Sequence, residues 1–199
     1  MNNANLKTIL GDTDIYLVDQ IMKGRYQKDD FVLDAGCGGG RNLKWFFNNE
    51  FVIYGIDTNP LLIADIQKNN SVPSNRFLVS PVETMPFGDC FFDAIISSAV
   101  LHFAKNTSQF FAMMNEMVRV LKPGGSLFIR MTSDIGIENK VMAINEGVYL
   151  IPDGSNRFLL TRSLLDQLLR RYPLTMAEEF KTVNVNDIRC MSTLVFIRG

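Results

Sequence analysis

The sequence predicts an α/β fold: a mostly parallel sheet of seven strands, helices on both of its faces, and an antiparallel strand at the C-terminus. Two observations carry that expectation. From residue 31 onward, apolar runs of strand length alternate with segments of helical periodicity, the pattern of βαβ units. At the end of the first such run, Val32 to Asn42 reads VLDAGCGGGRN, so a buried strand passes straight into four glycines.

Asp14 to Arg25 places Ile15, Leu17, Val18, Ile21 and Met22 at near-helical spacing, which predicts an amphipathic leading helix packed over one end of the sheet. Phe31 to Ala35 is the first strand, followed by the glycines and a helix carrying Leu43, Trp45, Phe46 and Phe47. Phe51 to Asp57 is the second strand, and Pro60 suits the first turn of a helix through LLIADIQKN. Arg76 to Ser80 and Phe92 to Ser97 give a third and a fourth strand. Phe110 to Leu121 is helical, Lys122-Pro123-Gly124-Gly125 stops it, and Ser126 to Met131 is the fifth strand.

Thr132 to Leu160 carries Gly136, Gly147, Pro152 and Gly154 and reads as a long, partly helical connection whose length hints at function. Ser163 to Arg171 is a helix, and Thr175 to Val185 and Arg189 to Arg198 are closing strands around an Asn-Asp turn. One domain is expected, with 1–30 a helical cap, 31–131 the core, 132–160 an insertion and 161–199 the closing elements.

A chain of 199 residues, 47% hydrophobic and 21% charged, can bury one sizeable core. A net charge of −1 offers no global attraction to phosphate backbones or anionic lipid, so nucleic acid is a secondary candidate for partner. No apolar run reaches the roughly 18 residues of a membrane span, and the N-terminus lacks the layout of a signal peptide, so a cytoplasmic location is expected. Three scattered cysteines and one histidine provide no disulfide framework and no metal site. Cys37 reads as a small side chain that fits the turn; no base for a nucleophile is assignable from local sequence.

Glycines permit positive φ and let a ligand approach the backbone, where the next helix presents free N–H groups. Asp57 ends the second strand about twenty positions beyond the first glycine, where a carboxylate can accept from both ribose hydroxyls of an adenosine. The two features fit one nucleoside. A nicotinamide dehydrogenase shares them, but the third small position of its fingerprint falls here on Arg41, against close helix packing and pyrophosphate access.

At this point the sequence resembles the class I S-adenosylmethionine-dependent methyltransferases, with their Rossmann-like sheet, over most of its length. The spacing D-x-G-x-G-x-G from Asp34 to Gly40 looks like the family's turn. Val82-Glu83-Thr84-Met85-Pro86-Phe87 with Phe91 to Ile96 looks like its adenine-side loop and fourth strand, and Leu121-Lys122-Pro123-Gly124-Gly125 like its turn before the fifth.

The resemblance implies S-adenosylmethionine as cofactor. It sets Asp34, Gly36, Cys37 and Gly38 against the methionine part, Asp57 and Thr58 at the ribose, Val82 and Glu83 at the adenine, and Ser98 at the end of the fourth strand among the cofactor-binding residues. The family often has an aspartate just before the Val82 position; Pro81 stands there instead, which moves adenine recognition onto backbone groups or Glu83.

A sulfonium is already an activated leaving group, so transfer needs chiefly an acceptor held in line and a site shielded from water. His102, the only histidine, follows the fourth strand on the ligand-binding edge and is the candidate base, with a packing or cofactor-edge role as the alternative. Met131 to Phe158 and the leading helix are expected to shape the acceptor pocket, with Tyr16, Tyr149 and Arg157 as candidate lining residues. A small-molecule acceptor is expected; the alternatives are an inactive cofactor-binding accessory protein, an RNA or protein methyltransferase, or an NAD-dependent oxidoreductase.

Overall fold

The computed structural model describes residues 3–70 and 73–199. Its centre is five parallel strands: β1 (Phe31–Ala35), β2 (Val52–Asp57), β3 (Phe77–Val79), β4 (Phe92–Ser98) and β5 (Leu121–Ser133). Three short strands follow, β6 (Met142–Asn145), β7 (Val148–Leu150) and β8 (Asn156–Phe158), then β9 (Leu174–Met176), β10 (Lys181–Val185) and β11 (Arg189–Arg198). The main sheet runs β10-β11-β5-β4-β1-β2-β3, with β9 added along β11. β11 is antiparallel to β5, which bears out the expected seven-strand path and its C-terminal antiparallel strand.

Side chains alternate across the strands, so two faces need cover. Val32, Ile53, Ala94, Ile96 and Phe128 point to one face and Leu33, Ile95, Leu127 and Ile129 to the other. Leu17 of α2 (Ile15–Met22), Phe46 of α3 (Lys44–Asn48) and Ile63 and Ile66 of α4 (Pro60–Asn70) close the first, while α1 (Asn3–Leu10) packs on α3. Phe110, Met114 and Met117 of α5 (Thr107–Val120) and Leu164 and Leu168 of α6 (Arg162–Arg171) close the second. Each such side chain, fully buried, contributes roughly 1.5–3 kcal/mol, so the layers hold the sheet rigid beneath the loops at its carboxyl edge. No described helix is long and apolar enough to cross a membrane.

Four elements differ from expectation. The helix after the glycines begins only at Lys44, and residues 38–43 turn instead, with Gly40 N donating to Cys37 O at 2.9 Å and Leu43 N to Gly40 O at 3.0 Å. Glycine is about 1 kcal/mol poorer than alanine in a helix, and three in succession delay the first helical turn. The fifth strand starts early, at Leu121, but its register with β4 jumps from Phe92↔Leu121 to Ala94↔Ser126, so residues 122–125 bulge out of the ladder.

The expected strand from Thr175 to Val185 is broken into β9 and β10. The break carries Glu178 to Lys23 of the segment after α2, at 2.6 Å, and Gln20 of α2 donates to it at 3.1 Å. The partly helical connection is instead an antiparallel meander, β6-β7-β8, preceded by one 3-10 turn at Glu138–Lys140. Its apolar runs of three or four residues are too short for a stable helical turn but pair readily as strands. Phe158 stacks on Phe110 with centroids 4.7 Å apart, and Leu160 N donates to Thr132 O at 3.0 Å. Those contacts pin the meander beside the carboxyl ends of β4 and β5.

Candidate active site

The turn after β1 is held by main-chain bonds. Gly36 N and Cys37 N both donate to Ile56 O of β2 at 2.9 Å, and Gly38 N donates to Asp57 Oδ2 at 2.9 Å. Asp57 Oδ1 accepts from Asn59 N, also at 2.9 Å, and Asn59 caps α4 by accepting from Leu61 N at 3.0 Å. A carboxylate has about four lone-pair sites, so Asp57 keeps capacity for two further donors. Gly36 has φ +85, and a Cβ there would lie 2.5 Å from Val100 Cγ2; no larger residue fits between the two loops.

Beside this turn lies a cavity of about 470 Å³, in the range of small-molecule sites. Gly36, Gly38, Asp57, Thr58, Val82 and Glu83 line it, so six of the nine cofactor-site residues named from the sequence share one wall. Among the described residues its charged lining is two carboxylates, Asp57 and Glu83, with no lysine or arginine. A Cβ on Gly38 would meet no protein atom within 4 Å, so the space against that glycine is open.

Asp34, Cys37 and Ser98 are buried outside the wall. Asp34 is 1% exposed; burial, partly relieved by Arg41 and reinforced by Asp57, pushes its carboxyl up to about 7. Its Oδ2 and the hydroxyls of Ser97 and Ser98 on the adjacent strand have no hydrogen-bond partner among the described residues. An unmet buried polar atom costs about 1–3 kcal/mol, so Asp34 and Ser98, which share one face of the sheet, favour a donor or cation arriving at the carboxyl ends of β1 and β4, while Ser97 points to the opposite face. Cys37 lies under the turn against Gly55, and burial raises its thiol, which holds it protonated.

Sequence reasoning missed Ser80, Ala99, Val100, Phe103, Gln109 and Met113 on the same wall. Ser80 Oγ donates to Thr84 O at 2.8 Å and shapes the loop that carries Val82 and Glu83. Gln109 donates to Glu83 Oε1 and accepts from Lys105 N at 2.8 Å. The signal for Gln109 was present, since Asn106-Thr107-Ser108-Gln109 has the spacing of a helix-capping box; the pattern announces a helix start but not that the amide faces a cavity. Ala99 has φ +63, strained for a residue with a side chain, and its N donates to Arg130 O at 2.7 Å.

His102 is 7% exposed and lies outside the wall. Its Nδ1 accepts from Thr132 N at 3.3 Å and lies 3.1 Å from Thr132 Oγ1. Burial, with Arg157, Arg189 and Arg130 nearby, pushes the imidazole down to about 4. The ring is neutral near pH 7, packed edge-on to Phe103 with centroids 4.5 Å apart. At the end of β5, Arg130 donates to Asp14 Oδ2 at 2.8 Å and lies 5.0 Å over the ring of Tyr16. Asp14 caps α2 by accepting from Tyr16 N, so the leading helix is tied to the end of β5.

A family profile described as "Methyltransferase domain" matches residues 33–129, from β1 through β5. The uncharacterized methyltransferase YodH of Bacillus subtilis (strain 168) is 30% identical over 123 residues, 59% of this chain and 47% of YodH. The chain belongs to the class I S-adenosylmethionine-dependent methyltransferase family. Among other methyltransferases, the tRNA (carboxymethyluridine(34)-5-O)-methyltransferase of Arabidopsis thaliana is 36% identical over 99 residues, 49% of this chain and 23% of that protein. The Burkholderia thailandensis 1,6-didemethyltoxoflavin-N1-methyltransferase, solved with 1,6-didemethyltoxoflavin and S-adenosylhomocysteine, superposes with a TM-score of 0.68. That match, at 19% identity, covers 92% of this chain and 75% of the other and shows a shared fold.

The match spans less than half the length of YodH and less than a quarter of the Arabidopsis methyltransferase. Within this methyltransferase-family chain, the matched residues carry the glycine turn, Asp57 and the Val82–Glu83 loop, while the meander and closing strands lie beyond them.

Proposed function

We propose that this protein transfers a methyl group from S-adenosylmethionine to a small-molecule acceptor. The observation that carries the reading is the cavity between the glycine turn and Asp57, lined by two carboxylates and no cation. Such a wall suits a cationic nucleoside and repels the pyrophosphate of a dinucleotide, for which a basic group or a helix N-terminus would be needed. The late start of α3 removes the helix N-terminus as well.

Bound there, the cofactor would supply a methyl group on a positively charged sulfur. Asp57, fixed by Gly38 N and Asn59 N, takes the ribose hydroxyls, with Thr58 alongside. Val82 main chain and the Glu83–Gln109 pair face the adenine edge in place of the missing aspartate. Gly36 and Gly38 let the methionine part lie against the main chain, and Asp34 beneath the turn, with Ser98, answers its ammonium. His102, weakly basic and held by Thr132, positions Phe103 and the β4 loop; an acceptor already deprotonated needs no further base. The meander and α2 flank the acceptor.

Calorimetry tests the cofactor reading. S-adenosylmethionine and S-adenosylhomocysteine are expected to bind and NAD to give no heat. Asp57→Asn, which keeps one oxygen for the turn, should weaken S-adenosylhomocysteine roughly 10- to 100-fold, the loss of one or two hydrogen bonds to a charged group, with the far-UV circular dichroism unchanged. NAD binding, or unaltered affinity in the variant, defeats the assignment. The likeness to a tRNA methyltransferase favours RNA as the second reading; salt-sensitive, tight retention of structured RNA in a filter assay would establish it over a small acceptor.

A further inference from the structure

The flank of the site toward the meander has the opposite polarity to the cofactor wall. We propose that the acceptor is recognised through a compact anionic group, a carboxylate or phosphate, held by Arg157. The inference rests on the methyltransferase reading above for which cavity the cofactor fills, and adds the chemical class of the second substrate.

β8 sets the Arg157 guanidinium 5.1 Å over the ring of Phe103. Phe103 is 62% exposed and forms part of the cofactor-cavity wall, so the ring that Arg157 covers is shared with the cofactor space. Arg130 at the end of β5 and Arg189 at the start of β11 approach the same flank: all three guanidinium groups act on the His102 imidazole. Two have counter-ions. Arg130 pairs with Asp14 at 2.8 Å, and Arg189 lies 3.7 Å from Asp153.

Arg157 has none. Among the described residues no carboxylate comes within ion-pair distance of it, and its hydrogen bond runs to the carbonyl of the preceding Asn156, at 2.8 Å. A half-buried guanidinium with no acid in hydrogen-bond contact, stacked on an aromatic face, presents a fork of donors matched to a planar carboxylate or a phosphate. Phe103 and Tyr16 supply aromatic surface beside Arg157 and Arg130 for the body of such a molecule. Arg157 thus selects the acceptor's anion while Asp57 and Glu83 face the cofactor, and like charges are kept apart across one ring.

Ligand-observed NMR on protein saturated with S-adenosylhomocysteine tests this with benzoate and phenyl phosphate as anionic probes and benzamide as the neutral isostere of benzoate. Both anions should bind and benzamide should not. Arg157→Gln should weaken the anions about tenfold, the loss of one charge-assisted contact, Arg157→Lys should weaken them less, and S-adenosylhomocysteine affinity should stay unchanged in both. Benzamide binding as well as benzoate, no binding of either anion, or full anion affinity in Arg157→Gln would overturn the proposal. Absence of S-adenosylhomocysteine binding to the unmodified protein would defeat the methyltransferase reading instead; the anions, titrated against the free protein, would still report on Arg157.

Discussion

Gly36→Ala is expected to abolish measurable S-adenosylmethionine binding and to cost about 2–5 kcal/mol of stability. Two penalties add. At φ +85 a side chain is strained by roughly 1–2 kcal/mol, and its Cβ would sit 2.5 Å from Val100 Cγ2 and 2.9 Å from Cγ1, an overpacking worth roughly 1–3 kcal/mol. Val100 follows β4 and lines the same cavity, so relieving the clash separates the two loops that form its wall. Gly38→Ala is the control. It carries the strain of φ +53 without any protein atom in the way, so its fold should lose only about 1 kcal/mol while the added methyl invades the ligand's space. Urea denaturation beside calorimetry separates these outcomes; equal stability and affinity in Gly36→Ala would remove the turn from the binding site.

Asp34→Asn is expected to raise the stability of the ligand-free protein at neutral pH, on the order of 4 kcal/mol, and to expose a slope that the native chain conceals. The folded carboxyl holds its proton to about pH 7, against 3.8 in the unfolded chain. Between those values the folded state binds more protons, so stability falls as pH rises, by about 1.4 kcal/mol per unit. His102 acts oppositely: its imidazole titrates at about 4 folded and 6.5 unfolded, so over that window stability rises with pH. The two slopes nearly cancel between about pH 4.5 and 6, with the raised Asp134 leaning the same way as Asp34.

Removing one member of that pair leaves the other uncovered. Denaturation midpoints of Asp34→Asn should climb with pH and those of His102→Gln should fall, while the native chain stays close to level; three parallel curves would refute both assignments. Cofactor affinity should follow the same carboxylate. S-adenosylmethionine should bind more tightly to the native protein as pH approaches 7 and Asp34 ionises, and Asp34→Asn should bind weakly at every pH.

The strands, the glycine turn and Asp57 were legible because each follows from short-range chemistry. A continuous apolar run such as Phe92 to Ser98 has no stable place but a buried strand, and Gly36 tolerates a φ that other residues resist. The meander was not legible: Val148-Tyr149-Leu150 is too short to declare its period, and its pairing is settled by Phe158 stacking on Phe110. Likewise Gln109 meets Glu83 across 26 positions, and Arg130 meets Asp14 across 116.

By itself, then, the sequence determined the α/β layering and the residues at the carboxyl ends of β1 and β2, since periodicity and glycine content act over a few residues. Tertiary structure alone decided the polarity of the site: which carboxylates face the cavity, which arginines keep counter-ions, and that Asp34 and His102 titrate far from their ordinary values. Charge and burial are properties of neighbours in space, and those neighbours come from strands and loops remote in the chain.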